Sequence, residues 1–307
     1  MKPYILRNVK LDPRVEAFAS EYYTIIEVSE LNDENAKDID VLLTNGTGKA
    51  PKELLDRLPS LKLIDDFGVG FDGVDIEECK RRGIAVCTTP GVLTEDVADL
   101  ALSLLMASSR RVCAASRFVN AGSWQPGKKF GLAHQVSGKK VGIVGLGRIG
   151  RAVAQRCAGF DMQICYFDGY VTEPKYQKFE SLVELAREVD FLVICAAATA
   201  ANRALISEEV MRALGPEGTL VNVARGSLVD EKAMTKLIEE GSLGSVALDV
   251  FEAEPHVPES LLGRDNVIFT PHIASATVET RQKMAEIVIG NLKAYREGTP
   301  LLTPLFK

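Results

Sequence analysis

Lys140-Val-Gly-Ile-Val-Gly-Leu-Gly-Arg-Ile-Gly150 changes character at its first interior turn glycine. Val141 to Val144 is a short apolar run that suits a buried strand, and Gly145, Gly147 and Gly150 then make G-x-G-x-x-G. Arg151 to Ala158 continues in helix-forming residues. A strand, a glycine turn and a helix in that order suit a pyrophosphate. The first glycine permits the tight turn, the second lets the backbone approach the phosphates, and the third lets the helix pack close to the strand. The helix N-terminus adds unpaired N–H groups and a partial positive charge. A bare glycine pattern is also ordinary turn chemistry, so the next strand matters.

That strand, Gln163 to Phe167, ends in Asp168, where a carboxylate can accept hydrogen bonds from both hydroxyls of an adenosine ribose. The same charge repels a 2′-phosphate, and Gly169-Tyr170-Val171 brings no arginine to hold one, so NAD is favoured over NADP. The plainer reading of Asp168 is a turn aspartate before glycine.

At 307 residues the chain suggests about two domains. Its 46% hydrophobic content is ample for two cores. A net charge of −6 without a basic run argues against nucleic acid as a partner. No apolar run approaches a membrane span, and the N-terminal stretch lacks a signal-peptide core. Cys79, Cys87, Cys113, Cys157, Cys165 and Cys195 include no C-x-x-C pair and mostly sit in apolar patterns. They read as buried thiols of a cytoplasmic protein, not as metal ligands or disulfides.

Before the glycine motif, strands are expected at 4–6, 24–27, 41–44, 61–65 and 84–87, with helical segments between them such as 51–58. The Asn45-Gly-Thr-Gly-Lys49 loop lacks phosphate-loop spacing and reads as a turn. Thr94 is expected to cap a long apolar helix that either crosses between domains or meets a partner subunit. From 141 onward six strands are expected, at 141–144, 163–167, 191–195, 219–223, 246–249 and 267–270, in the order 3-2-1-4-5-6. A last helix, 277–297, can pack back on the first part. The fold class is therefore α/β, with two doubly wound parallel sheets. A Rossmann-type dinucleotide domain at 99–276 interrupts a flavodoxin-like substrate domain made of 1–98 and 277–307.

Ligands of such sheets bind beyond the carboxyl ends of the strands. There the chain offers Arg225, Asp249, Glu254 and His272. These residue types suit hydride transfer to a 2-oxo acid. A guanidinium grips a carboxylate in a fork and polarises the neighbouring carbonyl. The alkoxide formed on reduction needs a proton, which His272 can donate, with Glu254 favouring the imidazolium and orienting the ring. Each has a plainer reading: a surface turn arginine, a loop carboxylate before proline, a strand-end histidine. Together at neighbouring strand exits they point to a site. His134 and His256 lie outside such exits.

At these residues the chain resembles the D-isomer-specific 2-hydroxyacid dehydrogenases, over essentially its whole length. The resemblance rests on Gly68-Val-Gly-Phe-Asp-Gly-Val-Asp75, Thr89 to Asp99, Val141 to Gly150, Val221 to Ser227, Ala247 to Phe251 and Thr270 to Thr277. It implies Arg225 for the substrate carboxylate and carbonyl, His272 as acid/base and Glu254 as its partner. It further implies that backbone N–H groups at Val69 and Gly70 hold the substrate carboxylate, with Arg225 and His272 completing the substrate site. Asp249 is implied to help hold the nicotinamide carboxamide, and Arg148 and Ile149 to lie along the pyrophosphate. The family usually forms homodimers through the dinucleotide domain, which supplies a role for the 94–110 helix.

Glu254-Pro-His-Val-Pro-Glu259 and Gly122-Ser-Trp124 look most like glyoxylate/hydroxypyruvate reductases, in which the tryptophan can reach the partner subunit's site; loop packing is the other reading of Trp124. Asp168-Gly169 departs from the basic residues of NADPH-preferring relatives, and Cys195-Ala196-Ala197 from the proline common after the third strand. A 3-phosphoglycerate dehydrogenase and a non-enzymatic dinucleotide sensor or corepressor are the rival readings.

Overall fold

The computed structural model describes residues 2–306. The backbone gathers into two compact units, Met1–Leu93 with Ala276–Lys307, and Thr94–Ser275.

In the first unit β1 (Tyr4–Arg7), β2 (Thr24–Glu27), β3 (Ile39–Asn45), β4 (Leu63–Phe67) and β5 (Ala85–Cys87) form an all-parallel sheet in the order β2-β1-β3-β4-β5. This is the flavodoxin-like order. Strands covered on both faces must be apolar on both, and Ile39, Val41, Leu42, Leu63 and Ile64 are fully buried. α1 (Pro13–Tyr22) starts from Asp12, whose side chain accepts from Arg14 N. α2 (Lys52–Asp56) is shorter than 51–58. Pro51 stands at its cap position, and Pro59 disfavours helical backbone at Leu58. α3 (Ile76–Arg82) is capped by Asp75 and closed by left-handed Gly83. The C-terminal helix, Val278–Glu297, is capped by Thr277 and lies against α1 and β4. Its buried Asn291 donates to Asp65 Oδ1 and Thr303 Oγ1, and its Tyr295 hydroxyl to Asp40.

The second unit opens with α4 (Thr94–Ser109) and α5 (Val112–Asn120). Thr94 is the first residue of α4, not its cap, because the turn at 90–93 runs directly into the helix. The apolar face of α4 (Val97, Ala98, Ala101, Leu104, Leu105) is buried inside this unit. There follow β6 (Lys140–Val144), α6 (Arg148–Ala158), β7 (Gln163–Phe167), β8 (Gln177–Lys178) and α7 (Leu182–Glu188). β9 (Phe191–Ile194), α8 (Glu208–Leu214), β10 (Thr219–Asn222), α9 (Glu231–Glu240), β11 (Ser245–Leu248) and β12 (Val267–Phe269) complete it. α4 packs on α6 and on β10 to β12, and Arg156 of α6 bridges to Glu95 at 2.8 Å and Asp99 at 2.6 Å. This packing accounts for the apolar face of the helix.

The sheet runs β12-β11-β10-β9-β6-β7-β8, all parallel, with seven strands rather than six. The added strand, β8, is two polar residues long and carries no hydrophobic period. It takes third place in the sequence and shifts every later strand by one. The fourth strand, beside β6 where the order reverses, is therefore β9, and Arg225 leaves the fifth. Among the described residues no helix is long and apolar enough to cross a membrane.

Candidate active site

Gly145 shows why the turn after β6 needs glycine. Its φ is +89°, and a Cβ there would sit 2.5 Å from Ala196 Cα, at the exit of β9. A Cβ on Gly150 would meet Gly145 O at 2.1 Å, so the loop and α6 are packed backbone to backbone. Gly147, by contrast, faces open space. Arg148 begins α6, and the first-turn N–H groups of a helix have no acceptors within it. An open glycine over a helix N-terminus fits a dinucleotide pyrophosphate.

Asp168 ends β7 as expected, and its carboxylate also serves the loop itself. Oδ2 accepts from Leu146 N at 2.7 Å, and Oδ1 from Tyr170 N and Val171 N at 2.8 Å. Partial burial pushes this carboxyl up, but the three N–H donors outweigh it and hold the group below its ordinary value. A carboxylate oxygen has two lone pairs, so Oδ1 is filled by its two N–H donors and Oδ2 keeps one lone pair for a ribose hydroxyl.

At the carboxyl edge of the same sheet, three strand exits carry the remaining candidates. After β10, buried Asn222 shapes the turn: its Nδ2 donates to Arg225 O at 2.8 Å and its Oδ1 accepts from Ala224 N at 3.0 Å. A Cβ on Gly226 would lie 1.9 Å from the Phe251 carbonyl carbon, so only glycine lets the Arg225 turn close on the loop after β11. On that loop Glu254 Oε1 accepts from Phe251 N at 3.0 Å, and Oε2 pairs with His272 Nδ1 at 2.7 Å. Half burial raises the Glu254 carboxyl, yet the hydrogen bond and charge of His272, the Phe251 N–H and the charge of Arg225 bring it below its ordinary value. The carboxylate is thus ionised and bound to one ring nitrogen, which leaves Nε2 for a substrate.

Asp249 sits differently from the carboxamide contact implied by the resemblance. It is 0% exposed, and its oxygens already take Thr270 Oγ1 at 2.6 Å and the backbone N–H groups of Ile273 and Ala274 at 2.9 Å. Its carbonyl accepts from His272 N at 2.9 Å. Through these bonds the β11 exit holds the backbone of the turn after β12. His272 in that turn has a φ of +54°, a left-handed conformation costing a non-glycine residue about 1–3 kcal/mol. Sequence reasoning missed both Asn222 and Thr270. Their signal, a polar residue at the end of an apolar strand, is shared by many turns.

Val69 and Gly70 belong to the first unit, just beyond the carboxyl end of β4, and both are half-buried. Gly68 O beside them accepts from Thr89 N and Oγ1. Trp124 is 72% exposed on the irregular stretch after α5. His134 is exposed near Glu217, and His256 bonds the carbonyl of Ala253.

Residues 102–274 match the profile of the D-isomer specific 2-hydroxyacid dehydrogenase NAD binding domain. The chain is 44% identical over 285 residues to glyoxylate/hydroxypyruvate reductase A of Arabidopsis thaliana, covering 92% of this chain and 91% of that one. It is also 44% identical to hydroxyphenylpyruvate reductase of Plectranthus scutellarioides, with 96% and 94% covered. The solved NADPH-dependent glyoxylate/hydroxypyruvate reductase of Sinorhizobium meliloti, in complex with NADP and malonate, superposes with a TM-score of 0.92 at 38% identity, covering 99% and 97%. A glycine loop that admits a dinucleotide and an imidazole–carboxylate pair on the same sheet edge agree with those likenesses: the chain belongs to the D-isomer-specific 2-hydroxyacid dehydrogenases, NAD(P)-dependent oxidoreductases that interconvert 2-oxo and 2-hydroxy acids.

Proposed function

We propose that the protein reduces a small 2-oxo acid, glyoxylate or hydroxypyruvate, to its D-2-hydroxy acid with NADH. The observation that carries this reading is the 2.7 Å bond between His272 Nδ1 and Glu254. A bound nicotinamide dinucleotide supplies the hydride. Arg225 takes the substrate carboxylate in its fork and polarises the carbonyl. His272 Nε2 gives its proton to the developing alkoxide, and takes one back in the oxidative direction. Glu254 stabilises the imidazolium and fixes the ring. N–H groups at Val69 and Gly70 share the substrate carboxylate. Gly145, Gly147, Arg148, Ile149 and Gly150 receive the pyrophosphate, Asp168 the adenosine ribose, and Asp249 supports the nicotinamide end through the turn it holds.

The preference for NADH follows from Asp168: its ionised carboxylate repels a 2′-phosphate. Homodimer formation through the dinucleotide unit is supported by exposed apolar side chains at Val112 and Val119 of α5, at Trp124 and at Leu132. Six unpaired cysteines suit the cytoplasm.

The test is a kinetic panel of glyoxylate, hydroxypyruvate, phosphohydroxypyruvate and hydroxyphenylpyruvate, each with NADH and NADPH, following absorbance of the reduced nicotinamide. Turnover of the first two with NADH is expected. Folded protein that turns over none of the four defeats the reading. His272→Ala lowers turnover by about 10²–10⁴ while dinucleotide affinity survives.

A further inference from the structure

We infer that Thr270 is a positioning residue for the proton donor: through the Asp249 carboxylate, its hydroxyl sets the backbone turn from which His272 projects. The inference rests on His272 as the acid/base and assigns a side chain outside the Arg225, Glu254 and His272 set.

The turn has two supports, and both come from the β11 exit. Glu254 holds the imidazole ring and Asp249 holds the backbone. Asp249 holds the backbone at His272 and at the two residues after it. Its carbonyl accepts from His272 N at 2.9 Å, Oδ1 from Ile273 N and Oδ2 from Ala274 N. Two of the three donors to this carboxylate therefore belong to the turn that it orients. They cannot by themselves fix its plane, because the terminal torsion of an aspartate is soft and the turn could swing with it.

The third donor, Thr270 Oγ1 at 2.6 Å, comes from the end of β12. Thr270 is itself anchored to the sheet, its N–H donating to Leu248 O at 2.9 Å, and its carbonyl accepts from His272 N at 3.0 Å. The hydroxyl thus ties the rotation of a wholly buried carboxylate to the sheet, and with it the left-handed backbone at His272. Without it, the ring held by Glu254 and the turn held by Asp249 lose their common reference. Arg225 leaves a different strand, so its hold on the substrate carboxylate does not depend on this link.

Thr270→Val keeps the shape and removes the hydroxyl; Thr270→Ser keeps the hydroxyl and removes the methyl. Both are to be compared with His272→Ala in steady-state kinetics, dinucleotide titration and backbone hydrogen exchange. The expected result for Thr270→Val is kcat lowered about tenfold to a hundredfold, the range for a misplaced catalytic group, with the KM for the oxo acid within about twofold. Exchange at Ile273 and Ala274 quickens, and Thr270→Ser recovers most of kcat. Wild-type kcat in Thr270→Val, or equal loss in both variants, overturns the inference. Should Thr270→Val fail to fold, exchange in the wild type decides: protected amides at Ile273 and Ala274 support the link, and unprotected ones overturn it. His272→Ala separates the two readings. If it abolishes turnover while Thr270→Val is normal, only the inference about Thr270 fails; if it leaves turnover intact, the acid/base role itself fails.

Discussion

Asp65 and Asp249 are both fully buried at parallel sheets, one in each unit, and the protein handles them in opposite ways. Asp249 is surrounded by donors: one hydroxyl and two backbone N–H groups. Asp65, within β4, has the Asn291 amide on Oδ1 at 3.2 Å, while Oδ2 has no hydrogen-bond partner. Burial pushes the Asp65 carboxyl well above its ordinary value; the bond from Asn291 opposes this and the neighbouring Asp66 charge adds to it. The fold thus favours the neutral acid at Asp65 more than an exposed aspartate would. Burial alone does not decide the state of a carboxyl; the donors around it do. The donor-rich position lies at a strand end, where backbone N–H groups are free to turn toward it, whereas β4 spends its N–H groups on the sheet.

The contrast can be broken most severely at Asp249. Asp249→Ala strands a hydroxyl and two backbone amides, at about 1–3 kcal/mol for each donor left without an acceptor, so a loss of at least about 3 kcal/mol is expected. Thermal and denaturant unfolding measure it, and an unchanged midpoint contradicts the donor count. Asn291→Ala acts on the other side. It removes the Asp65 contact and the acceptor for Leu302 N and Thr303 N, with an expected cost of about 2 kcal/mol.

Asp65→Asn sharpens the comparison because its sign is reversed. A carboxyl whose folded value is raised stabilises most below its ordinary value and loses that contribution as pH rises through the folded value. At neutral pH the amide escapes this penalty, so Asp65→Asn leaves stability within about 1 kcal/mol or improves it, and flattens the fall of Tm above the ordinary aspartate range. A marked drop at neutral pH would mean that the ionised form is the native one. Glu254 gives the smallest and opposite effect. Its folded value is lowered, so its contribution is intact above the ordinary glutamate range and disappears only as pH falls through the folded value. Between wild type and Glu254→Gln, the stability difference is therefore expected to stay level near neutrality and shrink only in acid. A difference that shrinks on the alkaline side would contradict it.

Much of this was readable in the chain. The five strands of the first sheet and six of the second appear where apolar runs end in turn residues, and the glycine motif lies on its expected strand, loop and helix. The exception is instructive. β8 is Gln177–Lys178, too short and too polar to leave a period, and omitting it put Arg225 on the fourth strand instead of the fifth. The same limit hid Thr270: a turn residue declares its type in the sequence, but not its partner 21 residues away.

Local chemistry is what the sequence by itself determined: alternating strands and helices, a turn that only glycines can make, and an arginine, carboxylates and a histidine after successive apolar strands. These follow from short-range sterics and from the need to bury apolar side chains. Only the tertiary structure decided that Asp249 serves the His272 turn, that Asp168 also braces the glycine loop, and that the α4 face belongs to the core of its own unit. Those outcomes depend on which distant donors reach a buried oxygen and which surfaces pack together, and such partners are fixed by the folded arrangement of strands, not by spacing along the chain.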